Sequence, residues 1–258
     1  MKLKTAVNNF LNLPKLNTQN YLKKNPKNKK IPMKQKMTFN LLTVMGKVKP
    51  SSIEAACELH NQTAGNPGGV AAAKSLGDMS HMTFMPVDAE KSFKGDLLFM
   101  DIWNSMEGLN QFFSDPQVQG GAEMMFASRE AIVWTKIDDF LNFNFPAPTG
   151  KNEKFIGLVR GTVKSLEEAA AIHNPAMEGT VKIARANGMV SHAFYSRMAA
   201  PSSPEALEIL GVDVWMSADG MMKHYMSPEF QNSGLYNIYA SKPASSMWVH
   251  PKGEWVEW

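Results

Sequence analysis

The 258-residue sequence predicts an α+β protein made of two tandem β-α-β-β-α-β units. Three observations carry that prediction. The first is an internal repeat. DIWNSMEGLNQFFSDPQVQ from Asp101 aligns without a gap on DVWMSADGMMKHYMSPEFQ from Asp213, and SIEAACELHN ending at Asn61 aligns on SLEEAAAIHN ending at Asn174. Ser80-His81 matches Ser191-His192 and Trp134 matches Trp248, all in one order at an offset of 111 to 114. The second is the alternation of β-branched apolar runs with helix-opening signals in each half. The third is a hydrophobic content of 44%, enough for a sizeable core.

The elements follow in order. TFNLLTVMGKV and KFIGLVRGTV read as the first strand of each unit. A capping box, Ser51 with Glu54 and Ser165 with Glu168, opens helix one. In that helix Ile53, Ala56, Cys57 and His60 lie at i, i+3, i+4 and i+7, as do Leu166, Ala169, Ala170 and His173, so one stripe faces a core. Gly65 to Gly69 and Pro175 are expected to break these helices before a further turn. HMTFMPV and SHAFYSRM read as strand two, LLFMDIW and ILGVDVW as strand three. Helix two opens at Ser105 or Ser217, and a short helix at Asp115-Pro116 or Ser227-Pro228, where proline suits the first turn. AIVWTKI and SSMWVHP close the units as strand four. This is the split βαβ, ferredoxin-like order, with units at 37–140 and 153–258.

Charge divides the chain. Residues 1–36 carry ten lysines and no acid, while the remainder is net −7, so the pI of 8.8 belongs to the extension. The stretch is Asn- and Lys-rich, with Pro14, Pro26 and Pro32, and reads as disordered. It lacks the apolar core of a secretory signal and contains no arginine, though a targeting role is compatible with its lack of acids. The expectation is a cytoplasmic protein without nucleic-acid or membrane partners, since the basic charge is not on a folded face and no run of about 18 apolar residues occurs. The single cysteine, Cys57, excludes disulfides and Cys-rich zinc sites.

The run from strand three into helix two, IWNSMEGLNQFFSDPQVQ and VWMSADGMMKHYMSPEF, resembles the antibiotic biosynthesis monooxygenase-like branch of the dimeric α+β barrel superfamily. The second unit is the closer match, because His224 stands where the first unit has Phe112. The resemblance implies that the two units pack sheet to sheet as a barrel within one chain, with a possible further homo-oligomer. It also implies a small-molecule site between sheet and helices, and a cofactor-independent monooxygenase acting on a phenolic or polycyclic aromatic substrate. Alternatives are a cyclase or isomerase of the same fold, or a non-catalytic ligand-binding module. Haem is disfavoured: ten residues after Phe112 and His224 stand Ala122 and Gly234, not histidine. The divergence at Phe112 points to the second unit as the competent one.

Imidazole titrates near neutrality, so the candidate catalytic residues are His60, His173, His81, His192 and His224. His60 or His173 is expected as the base, with His81 or His192 as its partner. Asn61 and Asn174 adjoin the helical histidines but project about 100° away around the helix. Trp103, Trp215, Asp101, Asp213, Asn61, Asn174 and Tyr195 are the candidate substrate-binding residues, the tryptophans as stacking walls. The aspartates can also complete a metal site with two histidines, but no metal is expected, nor any other cofactor. No phosphate loop, dinucleotide fingerprint or nucleophile elbow occurs.

Overall fold

A computed structural model describes residues 39–90, 93–144 and 154–258, so the 1–36 extension lies outside the described residues. The first unit runs β1 (Asn40–Val48), α1 (Ile53–Gln62), α2 (Pro67–Ser75), β2 (Asp78–Pro86), β3 (Asp96–Trp103), α3 (Met106–Phe113), α4 (Pro116–Met125) and β4 (Phe126–Lys136). A two-residue strand, β5 (Phe143–Asn144), follows. The second unit runs β6 (Phe155–Thr162), α5 (Leu166–Ala186), β7 (Met189–Arg197), β8 (Glu208–Trp215), α6 (Ala218–Tyr225), α7 (Pro228–Gln231) and β9 (Ala244–Val249).

The strands form one sheet in the order β4-β1-β3-β2-β9-β6-β8-β7, and a β4–β7 pairing closes it into a barrel. Each unit contributes four antiparallel strands. Two seams join the halves: Met85 and Pro86 against Val249 and Trp248, and Trp134 to Lys136 against Arg197 to Tyr195. Closure removes the open edges that a four-stranded sheet would expose. Alternation then sorts side chains to two sides. Leu41, Phe84, Leu98, Met100, Trp134, Ile156, Leu158, Leu210 and Trp248 fill the barrel interior. The helices cover the outside, where Trp103 and Leu109 anchor one core and Trp215 and Met221 its counterpart.

The caps explain where most helices start. Ser105, Asp115, Ser165, Ser217 and Ser227 each accept a hydrogen bond from a first-turn N–H, as their sequence contexts predict. Helix α1 differs by one residue: Ser52, not Ser51, is the cap, accepting from Ala55 N at 3.1 Å. Pro175 does not break α5, which continues from Leu166 through to Ala186, whereas α1 and α2 are separate. The glycine repeated in helix two has a steric cause. A Cβ on Gly108 would stand 1.7 Å from the Leu76 carbonyl oxygen, and one on Gly220 1.9 Å from that of Asn187. Among the described residues no helix is long and apolar enough to cross a membrane.

Candidate active site

Strands two and three place the polar residues. His81 lies opposite Asp101 in the β2–β3 register, and His192 opposite Asp213 in the β7–β8 register. The predicted buried stripe of helix one brings His60 and His173 down onto them. His60 Nε2 lies 2.9 Å from His81 Nε2, and His81 Nδ1 lies 2.5 Å from Asp101 Oδ1. The second unit repeats the chain, with His173 Nε2 2.9 Å from His192 Nε2 and His192 Nδ1 2.6 Å from Asp213 Oδ1. All four histidines are buried.

The asparagines correct the sequence reading. Each bends back onto its neighbour, placing Oδ1 3.0 Å from His60 Nδ1 and 2.9 Å from His173 Nδ1. The amide's orientation is set from the other side. Asn61 Nδ2 donates to Glu254 O at 2.7 Å and Asn61 Oδ1 accepts from Val256 N at 2.9 Å. Asn174 Nδ2 likewise donates to Asp139 O at 2.9 Å and Oδ1 accepts from Leu141 N at 2.7 Å.

Proton positions in the first chain follow from these contacts. His60 Nδ1 must donate to Asn61 Oδ1, and His81 Nδ1 donates to the Asp101 carboxylate. One further proton must then lie between the two Nε2 atoms. The electrostatics assign it to His81. Burial alone would lower that group, but the charge and hydrogen bond of Asp101 hold it above its ordinary value. Burial, reinforced by the charge of His81, pushes His60 down to about 4. A proton shared by the pair is therefore favoured on His81 over His60, and each ring nitrogen of the two has a hydrogen-bond partner. Both nitrogens of His60 are thus engaged, by Asn61 and by His81, while its ring borders the cavity described below.

Each pair is covered by a segment from the other unit. After β4, Asp139–Phe143 crosses the second unit: Phe140 packs on His173 at 4.9 Å and Phe143 stacks on His192 at 5.4 Å. After β9, Glu254–Trp258 crosses the first: Trp255 packs on His60 at 5.1 Å and Trp258 stacks on His81 at 4.7 Å. Asn142 Oδ1 accepts from Phe194 N and Glu257 Oε1 from Thr83 N, so the straps are repeats as well. Sequence reasoning missed them. DFLNF and EWVEW share an aromatic at positions two and five and extend the offset to 115, a signal too short to stand alone.

The units differ at the aspartates. Tyr225 Oη donates to Asp213 Oδ2 at 2.6 Å and fills the space over Gly157, where a Cβ would meet that oxygen at 2.4 Å. In the first unit Leu42 stands opposite Asp101 where Gly157 stands opposite Asp213, and Phe113 replaces Tyr225. The first chain instead borders a 670 Å³ cavity. His60, Asp78, His81 and Asp101 line one wall, Phe99, Phe112, Phe126 and Trp258 supply apolar surface, and Arg129 adds a cation. This cavity lies against the first unit, whereas the sequence pointed to the second as the competent one.

Four expected residues lie elsewhere. Trp103 and Trp215 are fully buried beneath helix two and line no part of this cavity. Tyr195 faces the barrel interior, on the opposite side of β7 from His192. His224 is buried among Trp215, Tyr225 and Phe230 with both ring nitrogens unpartnered, within reach of the charges of Asp213 and His192 but bonded to neither. Burial lowers its affinity for a proton. Among the described residues no cluster of three or more His, Cys, Asp or Glu is arranged to hold a metal.

No protein-family model matches the sequence, and no curated protein shows significant similarity. Solved structures do match. A candidate monooxygenase of Fusobacterium nucleatum subsp. nucleatum superposes with a TM-score of 0.55 at 10% identity, covering 84% of this chain and 96% of that one. An anthrone oxidase-like protein gives 0.55 at 12% identity, covering 86% and 94%. A chlorite dismutase from Candidatus Nitrospira defluvii gives 0.55 at 8% identity, covering 83% and 91%. Matches at this identity speak for architecture, and with the closed sheet described above they make this chain a dimeric α+β barrel whose two halves are joined in tandem.

Proposed function

We propose that the first unit is the active one and catalyses a cofactor-independent monooxygenation of a phenolic or polycyclic aromatic compound. The observation that carries this reading is the buried Asp101–His81–His60 chain on the wall of an aromatic-lined cavity. Flat apolar walls suit fused rings. The imidazolium His81 stabilises the phenolate or carbanion that forms when the substrate loses a proton, acting in a site shielded from water. That electron-rich anion then reduces dioxygen directly. The second unit, with Tyr225 on Asp213, serves as scaffold.

Haem enters other proteins of this fold, but the residues here do not suit it. The ring nitrogens of His60, His81, His173 and His192 are all engaged, and His224 is enclosed by aromatic rings. No step is routed through that group.

The test uses anthrone as the probe. Incubation in air is expected to consume one dioxygen per quinone formed, and Asp101→Asn to abolish that uptake. Anthrone bound and converted without oxygen uptake would favour a cyclase or isomerase. Binding without conversion would favour a carrier.

A further inference from the structure

Besides Asp115, which caps α4 by accepting from Gln117 N, the cavity wall holds one carboxyl that the histidine chain does not use. Asp78 is 5% exposed and borders the same cavity as His81 and Asp101. It arrives there through a β-bulge. Strict alternation from His81 would put Asp78 on the opposite face, but the register slips between Asp78 and Ser80. Asp78 therefore lies opposite Trp103 while His81 lies opposite Asp101, and all four share one face. Its hydrogen bond is a long one, from Ser80 N at 3.3 Å. The second unit keeps the bulge but places Met189 there, buried against Trp215. An apolar residue therefore satisfies the fold at this position, and a carboxyl beside a second carboxylate is a cost that packing does not explain.

We propose that Asp78 is the catalytic residue that exchanges protons with the substrate. The inference rests on the monooxygenase reading and names the group that reading lacked, since the ring nitrogens of His60 and His81 are already hydrogen-bonded. Ionised Asp78 takes a proton from an acidic CH₂ carbon, leaving the bonding pair as a carbanion. The carbanion forms a C–O bond to dioxygen, and the resulting peroxide anion takes the proton back from Asp78. Asp78 then removes the second hydrogen. The freed C–H pair becomes the carbonyl π bond as the O–O bond breaks, and the departing hydroxide takes that proton and leaves as water. The CH₂ group is oxidised to C=O, dioxygen is the oxidant, one water forms, and Asp78 ends ionised.

The groups around Asp78 suit that task. Burial and the charge of Asp101 on β3 raise it to about 8, opposed by His81 on its own strand, the Ser80 N–H, and Trp258 on the strap. Arg129 of β4 lines the same cavity. A base poised near working pH is the effective one, so turnover is expected to rise as pH passes about 8.

The experiment has two arms on the full chain. Anaerobic deuterium exchange into the CH₂ of anthrone isolates proton removal, and oxygen uptake follows the whole reaction. Asp78→Asn is expected to lose both by about 100-fold or more, and Asp78→Glu to restore part of the exchange. Exchange and uptake unchanged in Asp78→Asn would overturn the role of Asp78 alone. Wild-type protein that neither exchanges nor oxidises anthrone would overturn the monooxygenase reading. Infrared titration then decides Asp78 without any substrate. A buried protonated-carboxyl band that fades near pH 8 and is missing in Asp78→Asn supports the assignment; its absence from wild type overturns it.

Discussion

The two halves fold the same way yet solve the space around their buried aspartate differently. In the second unit Gly157 leaves room for Tyr225, whose hydroxyl satisfies Asp213, and Trp215 Nε1 lies 3.4 Å from that hydroxyl. In the first, Leu42 takes the place of the glycine, Phe113 brings no hydroxyl, and Trp103 Nε1 is buried without a partner. Met189 is buried against Trp215 in the second unit, whereas its counterpart Asp78 borders the aromatic-lined cavity of the first. The halves thus share their strands, caps and histidine–aspartate chains and differ in what surrounds the aspartate.

The sharpest way to break that comparison is to make the same change in both halves. Asp101→Asn and Asp213→Asn each remove a carboxylate hydrogen-bonded to a buried histidine and should each cost about 3–5 kcal/mol in urea unfolding. Only Asp101→Asn should abolish anthrone oxidation. Equal loss of turnover would show the second site to be active.

Acid should affect both halves alike. His60 and His173 are lowered to about 4 against an ordinary 6.5, so the unfolded chain binds the protons first. Their stabilisation is complete above pH 6.5 and is lost as pH falls toward about 4, by about 3 kcal/mol for each. Denaturant midpoints for wild type, His60→Gln and His173→Gln between pH 7 and 4 measure it; a slope removed by only one substitution would show that the chains are not equivalent.

Giving the first unit the second's filler should stabilise it. Asp78 holds its proton in the folded state up to about pH 8 but loses it near 3.8 when unfolded. Its penalty therefore grows as pH rises through that window. Asp78→Met should raise the melting temperature at pH 8 by an amount worth about 1–3 kcal/mol, and much less at pH 4. A smaller effect belongs to Tyr225→Phe, which leaves Asp213 Oδ2 without its donor and should cost about 1–2 kcal/mol. The smallest should again be symmetric: Ser52→Ala and Ser165→Ala each lose one helix cap, worth about 1 kcal/mol.

Much of the architecture was legible in the sequence, because the repeat doubled every weak signal. Strands, caps and the glycine of helix two each occurred twice in register. The histidine–aspartate chains were also within reach: helical spacing buried His60, and strand alternation put Asp101 on one face with Trp103. Local periodicity does not report side-chain curvature, so Asn61 was read as a substrate contact and not as the partner that fixes His60. Nor does alternation survive a bulge, and the slip after Asp78 hid the one carboxyl that distinguishes the halves. The filling of the second site depended on Gly157 and Tyr225, whose fit exists only once a neighbouring strand and helix are in place.

The exchanged straps have a consequence for how such a chain can diverge. A single half lacks the segment that covers its own histidines, yet two identical halves would cover each other reciprocally, as Asp139–Phe143 and Glu254–Trp258 do here. In a pair of identical chains any substitution appears in both sites at once. Joining the halves in one polypeptide releases that symmetry: one copy can accept a buried acid that costs stability while the other keeps methionine and tyrosine and holds the barrel closed.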